Sequence, residues 1–358
     1  MPTENKIRYF FGTNSAEGFF AFREEYLPPA ERRRVCILKG GPGTGKSGLM
    51  KKVAALGEAA GFVCEYYHCA SDPESLDGIV FPEKGTAVVD GTSPHVIEAG
   101  CAGAVEDYIS FSPYWDSEGI AAHRGEIETE TGAMRQEFTA AYRYLRAAAE
   151  LAANILDTSL SAVTREQLHR RGRALARRYI PAEKKPGGRV VRRFLGGITP
   201  AGRVFFGDTV SALCDRVVVL EDRLGLAPFV LAPVQTAAKA AGLTVIAGHC
   251  PLNPKKLEHI LLPELGVGFV TATPDHPFDG TGVRGIRTDH IPDRELLAPA
   301  LARLREDERR AERLTNSACA ALARAKMRHD RLEACYVPYM NFAGVDRLAE
   351  CVADKVLG

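Results

Sequence analysis

The chain contains two related segments, and this duplication constrains its fold more than any other feature. Residues 68–95, HCASDPESLDGIVFPEKGTAVVDGTSPH, align without a gap with residues 249–276, HCPLNPKKLEHILLPELGVGFVTATPDH. Eleven of the 28 aligned positions are identical, whereas chance matching at average residue frequencies gives about two. Upstream, RVCIL at 34–38 matches RVVVL at 216–220. We therefore predict two copies of one domain.

The boundary between the copies is predicted from composition. The chain has 358 residues, enough for two ordinary domains. The segment PAEKKPGGRVVR at 181–192 is rich in proline, glycine and charge, which is typical of a connection. We place the first domain at residues 1–185 and the second at residues 186–358.

Strands alternate with helices in each copy. In the first copy the order is a buried strand VCIL, a helix over about 47–60, a strand over 62–69, a loop or short helix, and the strand TAVVD at 86–90. This order predicts an α/β fold with right-handed connections, in which a parallel sheet is covered by helices on both faces. Long charged segments follow at about 117–180 and 293–333, and we predict helical arms there that could hold a protein partner.

A phosphate-binding loop follows the first apolar run. GGPGTGKS at 40–47 matches GxxxxGK[ST] in full and lies between a predicted strand and a predicted helix. Glycines let backbone N–H groups surround phosphate oxygens, and the helix N-terminus adds positive charge. Lys46 is expected to reach the β- and γ-phosphates of ATP, and Ser47 to bind Mg²⁺. The residues predicted to bind the nucleotide are Gly40, Gly41, Pro42, Gly43, Thr44, Gly45, Lys46, Ser47 and Gly48.

Two carboxylates are candidates for catalysis beside Lys46. Asp90 closes the apolar run TAVVD, which fits an acid that holds Mg²⁺ directly or through water. Asp72 is the second candidate, and its charge is present only in the first copy, because Asn253 occupies the matching position in the second. Asp72 could orient the attacking water or bind a substrate. The alternative for Asp72 is structural, because Ser-Asp-Pro is a favourable turn and helix start.

The second copy has lost the loop. Asp222 stands where the first copy has Gly40, and Leu226, Ala227, Pro228 and Phe229 lie near the positions of Gly45, Lys46 and Ser47. An acidic residue repels phosphate, and proline removes a donor N–H. Thr271 replaces Asp90. The sequence therefore predicts one nucleotide site per chain.

Two histidines are weaker candidates. His68 and His95 are expected at the carboxyl edge of the sheet, where open α/β sheets bind ligands. Both recur in the second copy, as His249 and His276, which lacks a loop for them to serve. A structural histidine is therefore favoured over a catalytic base.

Taken together, the loop, HCASDPESLDG at 68–78 and VVDGTSPH at 88–95 resemble an uncharacterised bacterial family of tandem P-loop ATPases. The resemblance runs through nearly the whole chain, including FFGTNSAEGFFAF near its start and YVPYMNFAGVDRL near its end. It implies an ATP-binding protein with two P-loop NTPase repeats. Members carry a loop in each repeat, and this chain departs from them in its second half. Only the loop is specific for nucleotide; the other motifs indicate no substrate.

Composition excludes some classes of protein. No apolar run reaches 18 residues, so no membrane span is predicted. The nine cysteines form no CxxC pair, which favours reduced, buried thiols in a cytoplasmic protein over disulfides or a zinc site. The net charge of +1 gives no general attraction to nucleic acid, which is disfavoured as a partner but not ruled out.

A strongly basic segment covers residues 165–193 and permits three interpretations. It could be a solvated helix face, it could supply an arginine to the γ-phosphate, or it could bind nucleic acid, although few aromatic residues are interleaved.

Three functions fit the sequence. The first is an ATPase that hydrolyses Mg-ATP at the first copy. The second is a kinase that phosphorylates a nucleotide or small molecule, with the basic segment as a lid. The third is a non-enzymatic ATP-dependent scaffold. No guanine-reading NKxD motif is present, so ATP is the expected nucleotide and GTP stays open.

Overall fold

The computed structural model describes residues 6–93, 96–273, 276, 278, 284–292 and 294–358. The chain forms two compact units. One, which we call the loop unit, comprises Lys6–Gly12, Ala21–Ala141 and Ala320–Gly358. The other, the second unit, includes Thr13–Phe20 and Tyr142–Cys319. The chain therefore enters each unit more than once.

Sixteen strands and nine helices are described. The strands are β1 Ile7–Phe10, β2 Gly12–Ser15, β3 Gly18–Ala21, β4 Arg34–Lys39, β5 Glu65–Cys69, β6 Asp72–Phe81, β7 Thr86–Asp90, β8 Glu106–Ser110, β9 Arg189–Arg193, β10 Gly196–Thr199, β11 Gly202–Phe205, β12 Arg216–Glu221, β13 Thr244–His249, β14 Leu257–Leu262, β15 Val267–Ala272 and β16 Arg284–Arg287. The helices are α1 Lys46–Ala59, α2 Ser117–Ala121, α3 Arg124–Ser159, α4 Ala162–Tyr179, α5 Gly207–Leu213, α6 Ala227–Ala240, α7 Arg294–Leu297, α8 Leu301–Tyr336 and α9 Phe342–Leu357.

The two large sheets have the same topology. In the loop unit the strand order is β1-β5-β6-β7-β4-β8, and in the second unit it is β9-β13-β14-β15-β12-β16. Each strand of the first sheet has its counterpart at the same place in the second. A duplicated arrangement of two sheets, each of mostly parallel strands flanked by helices, therefore fits the internal repeat.

One expectation about these sheets is wrong. We expected fully parallel sheets, with a loop or short helix after β5, but β6 runs antiparallel to both β5 and β7. Its counterpart β14 is antiparallel to β13 and β15. The prolines and polar residues at the start of each segment favour a turn. The apolar runs that follow them, LDGIVF and LEHILL, are almost entirely buried and need sheet partners on both edges.

The core of the loop unit lies between the sheet, α1 and α9. Buried residues of β4 and α1, such as Leu38, Leu49 and Val53, share one apolar cluster with Val345 and Val352 of α9. Helix α1 covers Lys46–Ala59, close to the predicted helix over 47–60.

A corresponding core closes the second unit. Here α6 takes the place of α1, and α4 takes the place of α9. Leu168 and Ala176 of α4 are buried with Val230 and Val234 of α6 and with Leu220 of β12.

Each sheet is therefore completed by a helix from the other repeat. Helix α4 lies in the first half of the sequence but packs in the second unit, and α9 lies at the end of the second half but packs in the loop unit. The first predicted arm, 117–180, thus contributes α4 to a core, whereas α9 lies beyond the second predicted arm, 293–333. The boundary between residues 185 and 186 was predicted for the repeats and stays a prediction, since the compact units follow different bounds.

All nine cysteines are free, and five of them are buried. No helix in the described parts of the chain is both long and apolar enough to cross a membrane.

Candidate functional site

The loop Gly40–Gly45 connects β4, in the middle of the sheet, to the first residue of α1. Gly43 and Gly45 have φ angles of +67° and +93°, a region that residues with a Cβ rarely adopt. Gly45 is also the N-cap of α1 and has no side chain with which to accept from its first N–H groups. The positive end of α1 therefore opens into the loop, as an anion site requires.

Residues near the C-terminus pack against the outside of this loop. A Cβ added at Gly41 would lie 2.9 Å from the ring of Tyr336, and one at Gly43 would lie 3.1 Å from the Cα of Glu333. A Cβ at Gly45 would lie 3.4 Å from Phe342. Tertiary contacts therefore disfavour a side chain at Gly41 and Gly43, whereas Gly45 is required by its backbone angle.

Lys46 points across the loop toward a carboxylate. Its Nζ donates to the carbonyl oxygens of Gly41 at 2.7 Å and Gly40 at 3.1 Å. The same Nζ lies 3.6 Å from Oδ2 of Asp90, and both side chains are largely buried. A lysine held across a glycine loop at a helix N-terminus is an arrangement that can stabilise phosphate charge.

Asp90 ends β7, which is the neighbour of β4 in the sheet, with Leu38 and Asp90 paired in register. Its Oδ1 accepts from the backbone N–H of Thr92 at 2.8 Å and also bonds the Thr92 hydroxyl. These two donors orient the carboxylate and leave Oδ2 directed at Lys46. The structure therefore brings together the two residues on which the sequence prediction depended most.

Ser47 lies in the first turn of α1. Its Oγ accepts from the backbone N–H of Leu76 in β6 at 3.0 Å, which uses one of the two lone pairs of the hydroxyl. The second lone pair is left for a cation. Ser47 and Asp90 offer only oxygen ligands, which suits Mg²⁺.

Three other predicted contact residues take different positions. Thr44 is buried, and its hydroxyl donates to the Gly41 carbonyl at 2.9 Å, so it braces the loop from within. Gly48 is exposed on α1, and a Cβ added there would meet no atom within 4 Å. Pro42 is half-buried at the loop tip.

Asp72, the third predicted catalytic residue, begins β6. Its carboxylate accepts from the Ser75 hydroxyl at 3.0 Å and lies 3.5 Å from Nζ of Lys326 in α8. Among the described residues, its partners therefore belong to β6 and α8, and none belongs to the loop. The expected turn is present in part, because Oδ1 also accepts from the Glu74 N–H at 3.3 Å.

His68 stabilises the connection between β5 and β6. Its Nδ1 donates to the Pro73 carbonyl at 2.6 Å, and burial lowers its pKa. His249 makes the same bond to Pro254 at 2.7 Å in the second unit. Because the same hydrogen bond is present in the second unit, which has no phosphate-binding motif, it supports a structural role for His68. His95 lies outside the described residues.

In the second unit, the segment that corresponds to the phosphate-binding loop contains a buried carboxylate, Asp222. Asp222 is buried, and its two oxygens accept from the N–H groups of Leu226 at 2.9 Å and Ala227 at 2.8 Å. The Thr288 hydroxyl donates to it at 3.0 Å. These amides begin α6, the counterpart of α1. Asp222 therefore accepts hydrogen bonds from the N–H groups at the start of α6.

Sequence reasoning missed the face that α8 presents to the loop unit. Nδ1 of His329 lies 3.7 Å from a carboxylate oxygen of Glu333. Burial lowers the pKa of His329, with the charge of Lys46 adding to that shift and the charge of Glu333 opposing it. Nothing in the sequence marks these residues, because they follow the loop by almost 290 positions and match no motif.

A second missed cluster lies in the second unit. Oε2 of the buried Glu258 lies 3.6 Å from Nε2 of His259 and 3.7 Å from Nε2 of His276. Nδ1 of His259 accepts from the Thr271 N–H at 3.2 Å, so the neutral ring carries its proton on Nε2 and directs it toward Glu258.

No family model, curated protein or solved structure matches the chain. The resemblance to tandem P-loop ATPases thus stays a prediction.

Proposed function

We propose that the chain is a Mg²⁺-dependent ATP-binding protein that hydrolyses ATP at the loop Gly40–Ser47. The observation that carries this proposal is the placement of Lys46 Nζ 3.6 Å from Asp90, inside a glycine loop that ends at the N-terminus of α1. A cation, a carboxylate and free helix amides meet there. These three parts are among those that phosphoryl transfer from Mg-ATP uses.

Each residue has a distinct role in this proposal. The amides of Gly43–Ser47 would bind phosphate oxygens, and Lys46 would exchange its bonds to the Gly40 and Gly41 carbonyls for bonds to phosphate. Ser47 and Asp90 would hold Mg²⁺, which when bound offsets phosphate charge. Asp90 is oriented for this by Thr92.

Turnover by the purified chain tests the proposal. Phosphate release would be measured with Mg-ATP and with Mg-GTP, in wild type and in Lys46→Ala, with and without candidate acceptors. Release of phosphate from Mg-ATP that Lys46→Ala abolishes is the expected result. Transfer of phosphate to an acceptor would replace the proposal by a kinase, and binding without turnover would replace it by a scaffold.

A further inference from the structure

The basic segment forms an exposed face of the second unit. Residues 165–193 contain eleven arginines and lysines and two glutamates, a net charge of +9 in a chain whose total is +1. The remainder of the chain therefore carries a net charge of −8. All six arginines of α4 are exposed, and so are Lys184 and Lys185 beyond its end. Eight of the eleven basic side chains are therefore exposed on α4 and just beyond it, whereas Arg193 is buried and Arg189 and Arg192 belong to β9 and have further interactions.

The two carboxylates of the segment neutralise little of this charge. Glu166 lies 2.5 Å from Arg173, and Glu183 lies 3.2 Å from Lys185. Both pairs are exposed, so solvent screens them. A field of several positive charges is left facing outward, which attracts polyanions and accelerates their association.

Along α4 the arginines follow two ridges. Arg170, Arg173 and Arg177 are spaced three and four residues apart and therefore lie on one side of the helix, with Arg171 and Arg178 on the next ridge. At 1.5 Å per residue, the first ridge extends about 10 Å. That length spans about three phosphates along one strand of a duplex. Guanidinium groups bind phosphate oxygens in pairs, a match that a merely solvated lysine face does not offer.

A cavity continues the basic face beyond α4. It is a shallow depression, largely open to solvent, with a volume of about 540 Å³ between the end of α6 and residues 185–190. Lys185 and Lys239 line it, together with Gln235, Thr236 and the backbone of Gly187 and Gly188. None of the described residues that line it is a carboxylate, although Glu183 lies 3.2 Å from Lys185. Clefts with one sign of charge focus the electrostatic field and concentrate anions.

The other face of α4 decides the class of partner. Leu168 and Ala176 of α4, with Ile180 just beyond it, are buried in the core of the second unit. Of the large apolar side chains described on α4 only Val163 is exposed, so the helix has no apolar stripe to insert into a lipid surface. Aromatic platforms for unpaired bases are also lacking on this face, since Tyr179 and Phe229 are partly buried and lie beneath Arg178 and Arg165. Exposed guanidinium groups without an apolar stripe or free aromatic rings match the phosphate backbone of a duplex.

We propose that the α4 face and the adjoining cavity bind duplex nucleic acid through its phosphates, independently of base sequence. Arg170, Arg173 and Arg177 contact the backbone of one strand, and Lys185 and Lys239 extend the contact. DNA and RNA duplexes share this chemistry. The proposal does not depend on ATP hydrolysis at the loop.

Fluorescence anisotropy with a labelled 20-base-pair duplex tests it, at several KCl concentrations between 50 and 200 mM. The variant Arg170→Gln/Arg173→Gln/Arg177→Gln removes three charges from the face. Arg305→Gln/Arg309→Gln/Arg313→Gln, exposed on α8 in the same unit, is the matched control. Each phosphate contact contributes about 0.9 to the slope of log K against log salt. The face variant should lower that slope by about 2–3 and the control by less than 1.

A second variant, Lys184→Gln/Lys185→Gln/Lys239→Gln, should weaken binding in the same direction, and Lys46→Ala should leave it unchanged. DNA and RNA duplexes should bind within about threefold of each other. The proposal fails if wild type does not bind the duplex at 50 mM KCl, or if the face and control variants lose affinity equally. Stronger binding to a single strand, to phosphatidylserine vesicles or to polyglutamate than to the duplex would also overturn it.

Discussion

At the scale of single residues, the site depends on one cation and one carboxylate. Lys46 contacts the loop carbonyls and Asp90 together. Lys46→Ala should weaken binding of a non-hydrolysable ATP analogue by about 2–4 kcal/mol, because a charge-assisted phosphate contact is lost. Lys51→Ala, an exposed lysine five residues further along α1, serves as the control. Calorimetry showing equal affinities for the two variants would remove Lys46 from the site.

Asp90→Asn should reduce Mg²⁺-dependent turnover more than nucleotide binding, because the carboxylate acts through the metal. The amide keeps the shape of the side chain and one oxygen for the Thr92 N–H. Turnover across a Mg²⁺ titration is the measurement, with Glu74→Gln as an exposed control on the neighbouring strand. Normal turnover at every Mg²⁺ concentration would exclude Asp90 as the metal-binding acid.

The Glu258–His276 pair makes stability depend on pH. Burial lowers the pKa of His276, but the effect of Glu258 is larger, so the pKa lies above its ordinary value. Arg203 and the neighbouring His259 ring also face the pair. A raised pKa means that the protonated ring stabilises the fold fully below the unfolded value of about 6.5 and loses this contribution as pH rises through the folded value. The difference in urea midpoint between wild type and His276→Gln should therefore be larger at pH 6 than at pH 9. An equal difference at both values would show that His276 does not titrate with folding.

At the scale of elements, the end of α8 shapes the loop from outside. Gly41 has no positive φ angle, so alanine is compatible with its backbone, yet the added Cβ would lie 2.9 Å from Tyr336. Gly41→Ala should weaken nucleotide binding, and adding Tyr336→Ala should restore part of it. Gly48→Ala meets no atom within 4 Å and is the control. Additive effects of the two substitutions would contradict a contact between α8 and the loop.

Helix α9 contributes buried side chains to the core of the loop unit. Val352 is buried with Leu49 and Val53 of α1, so Val352→Asp places an unpaired charge in an apolar cluster. The loss of stability should exceed about 3 kcal/mol and should abolish nucleotide binding as well. Cys351→Asp introduces the same residue at the adjacent, exposed position and should change stability by less than about 0.5 kcal/mol. Equal thermal unfolding of the two variants would show that α9 does not complete the core.

At the scale of the whole molecule, the exchange of α4 and α9 explains why a repeat without a phosphate loop is kept. The second half supplies α9 to the loop unit and receives α4. Without the other repeat, each sheet would lose one of the two helices that share its apolar cluster. Selection can thus remove the second loop, where Asp222 occupies the amides, without removing the second copy.

One nucleotide should therefore bind per chain. Titration with the ATP analogue should give a stoichiometry near one in wild type and near zero in Lys46→Ala. Asp222 takes the amides at α6, and Thr271 replaces the carboxylate of Asp90, with each lost charged contact costing about 1.5–3 kcal/mol. A stoichiometry of two, with one site surviving Lys46→Ala, would show that the second loop still binds.

The sequence by itself determined the duplication, the strands and helix around the loop, and the pair Lys46 and Asp90, because these depend on local patterns. Apolar runs, glycines and a terminal carboxylate are readable within a few residues. Only the tertiary structure decided that β6 and β14 run antiparallel, that α8 lies against Gly41 and Gly43, and that α4 and α9 are exchanged. The physical reason is sequence separation: Tyr336 and Val352 meet the first fifty residues only after the chain has folded, and an amphipathic pattern does not say which apolar surface it will cover.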